Sequence, residues 1–180
     1  YQNCEDPIRL GIDTDQGAFS RFIAVPSDYV FPLPEDMNPQ KAVLIRPIMQ
    51  IRSELNRINQ MMGGSGDCLV VGDTPKGKLV TQVLDFSSEY PVTQVEQDTL
   101  HSSVHSPDLT EYDLLIEAVG NSETAKRSIQ KARQGSVILL LGNQYRKFNL
   151  TNKDILEKTV IKPETDSTIE LNKAIDIVSS

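Results

Sequence analysis

The residues best placed to do chemistry stand in LVVGDTPKGKLV, 69–80. An apolar run ends on Gly72, five positions lead to Gly77, and a helix-like run follows. This is the outline of a phosphate-binding turn. The first glycine makes the tight turn, the last lets helix and strand pack closely, and the N–H groups at the helix start point at an anion. The middle glycine of G-x-G-x-x-G is absent: Thr74 stands there, beside Asp73. A Cβ and a restricted φ at that position hold the backbone further from a ligand. The Thr74 hydroxyl is expected to compensate in part by donating to a phosphate. Asp73 adds an unfavourable charge if it faces the site, and Lys76 could offset it.

Glu96 follows Gly77 by 19 positions and ends the next apolar run. A carboxylate about 20 residues on can accept hydrogen bonds from the adenosine ribose hydroxyls, which favours NAD over NADP. Glu96 is also readable as a plain polar strand end, so the combination with the loop carries the weight.

Other constellations are weaker. Gly72, Gly77 and Lys78 match most of a P-loop, but Leu79 replaces the Ser or Thr that would bind magnesium, leaving this as an alternative. His101 and His105 are four apart, with Asp98 and Asp108 near. On a helix they would share a face and could hold a metal, but the segment reads as a loop, and solvated surface histidines are the better reading. No G-x-S-x-G nucleophile motif occurs, GGSGD at 63–67 is a flexible break, and Asp13 and Asp15 read as a turn. Cys4 and Cys68 are too few and too isolated for a disulfide framework.

The elements that must position the loop follow from the hydrophobic pattern. Residues 17–31 are rich in β-branched and aromatic types and predict one or two short strands broken at Pro26. Leu44, Ile48, Ile51, Leu55, Ile58 and Met62 form one helical stripe across 39–62, capped by Asn38, with a kink or restart at Pro47. CLVVG, PVTQVE, DLLIEAVG, SVILLLG and KTVIKP read as five strands. PKGKLVTQVLDFS, SETAKRSIQKARQ and STIELNKAIDIVSS read as helices, with Ser122 as N-cap and Gly135 as C′ of the second. The polar stretch 97–112 shows no clear period. Strands alternating with helices predict a doubly wound α/β unit, a parallel sheet covered on both faces. In such a sheet ligands bind at the carboxyl ends of the strands, here Gly72, Gly120 and Gly142.

The bulk numbers fit one domain or a little more: 180 residues, 38% hydrophobic and 24% charged. The net charge of -7 without a basic cluster excludes non-specific nucleic-acid binding through phosphate contacts. No apolar run approaches the roughly 20 residues of a membrane span, and no signal-peptide pattern is present, so a cytoplasmic protein is expected. The chain opens on Tyr1 rather than methionine, as expected of a processed product or an excised domain.

Six segments, in order, resemble the medium-chain dehydrogenase/reductase family of zinc-type alcohol and polyol dehydrogenases. LGIDTDQGAFSRFIAVPSDYVFPLPEDM resembles the family's "lGi…dGgfaeyvvvP…v..lPd", and KAVLIRPI its "aAl.EPla". LVVGDTPKG resembles "VlVvGaGpiG", YDLLIEAVGNSETAKRSI resembles "DvvieatGspet…a", and QGSVILLLGNQ resembles "gG.vvlvG". The last segment, 152–180, resembles the strand and helix that follow. The resemblance implies a Rossmann-like nucleotide-binding domain over 39–180. It implies that 1–38 is the tail of a GroES-like β domain, most of which precedes Tyr1. It implies that Gly72, Asp73, Thr74, Pro75, Lys76 and Gly77 surround a pyrophosphate, with Glu96 at the ribose. Val119 and Gly120 would lie near the nicotinamide-side ribose, and Gly142 near the nicotinamide. No catalytic residue is assigned.

The full-length protein is then expected to be an NAD(P)-dependent oxidoreductase acting on an alcohol or carbonyl, with NAD preferred and this chain alone inactive. A homo-oligomer through edge strand 159–163 is a further expectation. The departures are Arg46-Pro47 where many zinc members have Glu-Pro, a single Cys4 at the zinc lobe, the missing middle glycine, and the short 97–112 region. They leave zinc unsupported. They also keep open an alternative, a diverged non-catalytic Rossmann domain serving assembly or regulation with weak or no nucleotide binding.

Overall fold

A computed structural model of the chain describes residues 10–11, 13–14, 17, 19–101, 108–142, 145–163 and 170–179. Five short strands build one parallel sheet: β1 (Cys68–Val71), β2 (Val92–Val95), β3 (Leu114–Glu117), β4 (Val137–Leu140) and β5 (Thr159–Ile161). Their spatial order is β2-β1-β3-β4-β5. The chain steps outward from β1 to β2, then crosses back to β3 and continues the other way. The point of reversal lies between β1 and β3, whose registers pair Cys68 with Leu114 and Val71 with Glu117.

Residues along each strand alternate between two cores. Cys68, Val70, Leu114, Ile116, Val137 and Leu139 face one, together with helices α2 (Ile45–Met62), α3 (Pro75–Ser87) and α7 (Leu171–Ser179). Leu69, Val71, Leu115, Ile138 and Leu140 face the other, covered by α5 (Ser122–Lys131) and by Leu100 and Leu109. Both faces of β1, β3 and β4 are buried, which is why these strands read as apolar runs. Helices on opposite faces make the fold doubly wound, as expected from the alternation of elements.

The long apolar stripe folds as two helices. The short α1 (Pro39–Ala42) is capped by Asn38, whose side chain accepts from the Gln40 N–H at 2.8 Å. The restart falls at Val43 and Leu44, and Pro47 then sits in the first turn of α2, where its missing N–H has no intrahelical acceptor to lose. Gly63, with φ 75°, ends α2 in the left-handed conformation.

Four expectations are corrected. No strand forms between 19 and 38; Ser27–Tyr29 is a single 3-10 turn in an otherwise extended, exposed segment. Three prolines there (26, 32 and 34) remove ladder donors, and no described strand lies alongside. Asn121, not Ser122, caps α5, accepting from the Glu123 N–H at 2.8 Å. Gly135 is not the C′ residue: α5 ends at Lys131, and Gly135, with φ 82°, turns the chain into β4. The aperiodic stretch after β2 contains a short helix, α4 (Gln97–His101), and a 3-10 turn at Leu109–Glu111. Each anchors one buried leucine, too few for a period to show. The remaining helix, α6 (Asn152–Ile155), leads into β5.

Candidate functional site

The carboxyl ends of β1, β3 and β4 meet at the reversal point, and the turn from β1 into α3 lies over them. Gly72 has φ 114°, a conformation that L side chains rarely adopt, and a Cβ there would lie 2.7 Å from the Val119 side chain. Gly77 is in the first turn of α3, where a Cβ would meet the Gly72 carbonyl oxygen at 2.1 Å. The two glycines therefore do what the loop predicts: one turns the chain, the other lets α3 close onto the strand end.

Thr74 is the N-cap of α3. Its hydroxyl accepts from the Gly77 N–H at 3.1 Å and donates to the Ala118 carbonyl at 3.0 Å. The hydroxyl proton is thus directed at the end of β3. The Lys76 ammonium donates to the Leu141 carbonyl at 3.1 Å, spanning the strand ends from α3 to β4. Burial lowers the Lys76 pKa from its ordinary value. Asp73 and Pro75 are exposed, and so is Glu96 at the end of β2. Gln94, one turn of the pleat earlier, donates to the Gly72 carbonyl at 2.9 Å and accepts from Thr81 at 3.1 Å, tying β2 to the loop.

On the other side of the reversal point, Gly120 has φ 85° and Gly142 is buried against it. A Cβ on Gly142 would lie 2.1 Å from the Gly120 Cα, so the two backbones are in direct contact. Glu117 ends β3 fully buried. Its carboxylate accepts the N–H groups of Val119 at 3.1 Å and Gly120 at 3.0 Å, and the Tyr145 hydroxyl. The Gly142 N–H donates to that hydroxyl oxygen at 2.8 Å. Burial is the largest influence on both groups. It raises the Glu117 pKa against the hydrogen bonds that oppose it, and raises the Tyr145 pKa together with the neighbouring carboxylate.

All ten residues expected at a cofactor thus lie on one end of the sheet, with Gly72, Thr74, Lys76, Gly77, Val119, Gly120 and Gly142 in one contiguous cluster. Asp73, Pro75 and Glu96 are exposed beside it. The sequence reading missed Glu117, Gln94 and Tyr145. Glu117 carried a signal, a carboxylate inside a run that reads as buried on both faces; such a group must be hydrogen-bonded or neutral.

A nicotinamide dinucleotide fits this end in part. The tight Gly72–Gly77 turn, closed against Val119 and the Gly72 carbonyl, and the exposed Glu96 suit the start of a pyrophosphate and an adenosine ribose. Around β3 and β4 the N–H groups already have protein partners. Among the described residues no group of three His, Cys, Asp or Glu could hold a metal ion. His105 lies outside the described residues, as does Cys4. No described helix is long and apolar enough to cross a membrane.

No family model matches this sequence, and no curated protein matches it. Solved structures do. Galactitol-1-phosphate dehydrogenase from Escherichia coli superposes with a TM-score of 0.73 at 21% identity, over 99% of this chain and 60% of its own. L-idonate 5-dehydrogenase from Escherichia coli K-12 gives 0.75 at 13% identity, over 98% of this chain and 57% of its own. The chain has the fold of these dehydrogenases. A third match, a short chain alcohol dehydrogenase from Escherichia coli CFT073 complexed with NADH, gives 0.68 at 20% identity, over 94% of this chain and 56% of its own. Another such structure is bound to NADP. The chain spans less than two thirds of each of these structures, and the likeness is one of fold: a Rossmann-like, five-stranded parallel sheet.

Proposed function

We propose that this chain is the nucleotide-binding unit of an NAD(P)-dependent oxidoreductase acting on an alcohol or carbonyl. The observation that carries the reading is the Gly72–Gly77 contact at the sheet's reversal point, where α3 closes directly on the end of β1. Gly72, Asp73, Thr74, Pro75, Lys76 and Gly77 would surround the phosphates and Glu96 would hold the adenosine ribose, with Val119, Gly120 and Gly142 beyond them. The bound cofactor would supply the hydride chemistry, and the chain its orientation. Residues 19–38, with Phe19, Phe22, Val30 and Phe31 exposed, would belong to a second, β-rich unit.

Glu96 makes the reading specific. A carboxylate accepts from two ribose hydroxyls but repels a 2′-phosphate. Calorimetric titration with NADH and NADPH is the test. NADH is expected to bind at least about tenfold tighter, equivalent to about 1.4 kcal/mol. Preference for NADPH would refute the role of Glu96.

A second reading is favoured by one observation: the Thr74 hydroxyl and the Lys76 ammonium are both bonded to strand-end carbonyls. In that reading the domain keeps the fold, serves assembly or regulation, and binds neither cofactor at millimolar concentration in the same titration.

A further inference from the structure

The phosphate turn carries a cation whose charged end lies elsewhere. Lys76 stands in the first turn of α3, over the end of β1. Its half-buried side chain runs across the strand ends, and its ammonium donates to the Leu141 carbonyl at 3.1 Å, one residue past β4. From β1 to β4 is two strand spacings, about 10 Å.

A dinucleotide with its adenosine ribose at Glu96 and its pyrophosphate at the β1–α3 turn runs on over the ends of β3 and β4. The way is open: a cleft lined by Val119, Gly120, Asn121, Ser122 and Arg146 lies at the end of β3. The second nucleoside then ends beside Leu141 and Gly142, where the Lys76 ammonium is held. The two oxidation states of a nicotinamide ring differ in charge at that place. The oxidised ring is a cation, and accepting a hydride, which is two electrons and a proton, makes it neutral. A cation held at this end of the crevice repels one state and not the other, most strongly where water is excluded.

The neighbouring charges do not cancel it. Side chains alternate along β3: Ile116 faces the core under α3, as Leu141 does, so Glu117 faces the opposite side of the sheet, where its partner Tyr145 packs. The Glu117 carboxylate is also taken up by the Val119 and Gly120 N–H groups and the Tyr145 hydroxyl. Arg146 and Asp73 are exposed, and solvent and salt screen both.

We infer that Lys76 selects the oxidation state of the dinucleotide, so that the site holds the reduced nicotinamide form more tightly than the oxidised one. The inference rests on the nucleotide reading above and names the form that the site keeps. The backbone of Lys76 serves the phosphate turn, and its ammonium serves the next subsite.

Calorimetry with ADP, NAD+ and NADH tests it, on the protein, on Lys76→Met and on Lys76→Arg. The unaltered protein is expected to bind NADH at least about tenfold tighter than NAD+. Lys76→Met is expected to cut that ratio at least about fivefold by tightening NAD+, with ADP binding unchanged within about twofold. Lys76→Arg keeps the charge and is expected to keep the preference. Equal binding of NADH and NAD+ to the unaltered protein would overturn the inference and leave the nucleotide reading standing. So would an unchanged ratio in a folded Lys76→Met, checked by thermal unfolding. Equal weakening of all three ligands in that variant would also overturn it, by placing the ammonium on the phosphates. No binding of any of the three to the unaltered protein at millimolar concentration would overturn both readings. The ratio in the unaltered protein can overturn the inference even if Lys76→Met does not fold.

Discussion

Thr74 holds a position that normally calls for glycine, and the structure shows what it does there. One hydroxyl caps α3 through Gly77 and ties the cap to β3 through Ala118. Those bonds stabilise the turn, and they also occupy the atoms a phosphate would use. Thr74→Gly separates the two effects. It is expected to lower stability by about 0.5–1 kcal/mol, since glycine is a tolerable cap but cannot make the tie. It is also expected to tighten ADP binding several-fold by letting backbone approach the phosphate. Urea unfolding reads the first and calorimetry the second; weaker ADP binding in this variant would mean that the hydroxyl contacts the ligand after all. At this scale the glycines were legible in the sequence, because a close approach demands a missing Cβ whatever the context. Tyr145 was not: its partner Glu117 lies 28 positions away, and only the β3–β4 pairing brings them together.

Helix α2 shows the same limit one level up. Its apolar stripe was plain in the spacing, and Ile48, Ile51, Leu55 and Ile58 are buried as that stripe requires. What the stripe did not reveal is the polar seam beside it. Arg52, also buried, reaches Glu89 after α3 at 3.0 Å and Glu170 before α7 at 3.5 Å. Asn59 donates to the same Glu89 at 2.9 Å, and Asn56 donates to Glu170. One cation therefore holds three helices together through two carboxylates. Arg52→Ala leaves those carboxylates facing each other without it. Breaking a fully buried pair costs about 3–5 kcal/mol, and because Glu89 is partly exposed the expected loss is about 2–3 kcal/mol. Chemical denaturation measures it, and a loss below about 1 kcal/mol would show that the seam is solvated. The strands were legible for the opposite reason: burial on both faces leaves an unbroken apolar run. The 17–31 segment has strand-like composition, but composition measures fitness for a sheet surface, and no described strand is there to supply one.

Across the whole molecule, the order β2-β1-β3-β4-β5 concentrates every candidate residue at one end of the sheet. The connection from β2 to β3 is short, carrying only α4 and one 3-10 turn among its described residues, so β2 stays an edge and Glu96 stays exposed. The adenosine side is thereby left open to solvent, and a cleft lined by Val119, Gly120, Asn121, Ser122 and Arg146 opens at the end of β3. The central claim is that a nucleotide binds across the β1–α3 turn and the end of β2. Hydrogen–deuterium exchange with and without saturating NADH tests it most directly, because it reports where the ligand sits as well as whether it binds. The account predicts slowed exchange at 72–78 and 94–97, with little change at the far edge strand, 159–161. Unchanged exchange across 72–97 at millimolar NADH would contradict it.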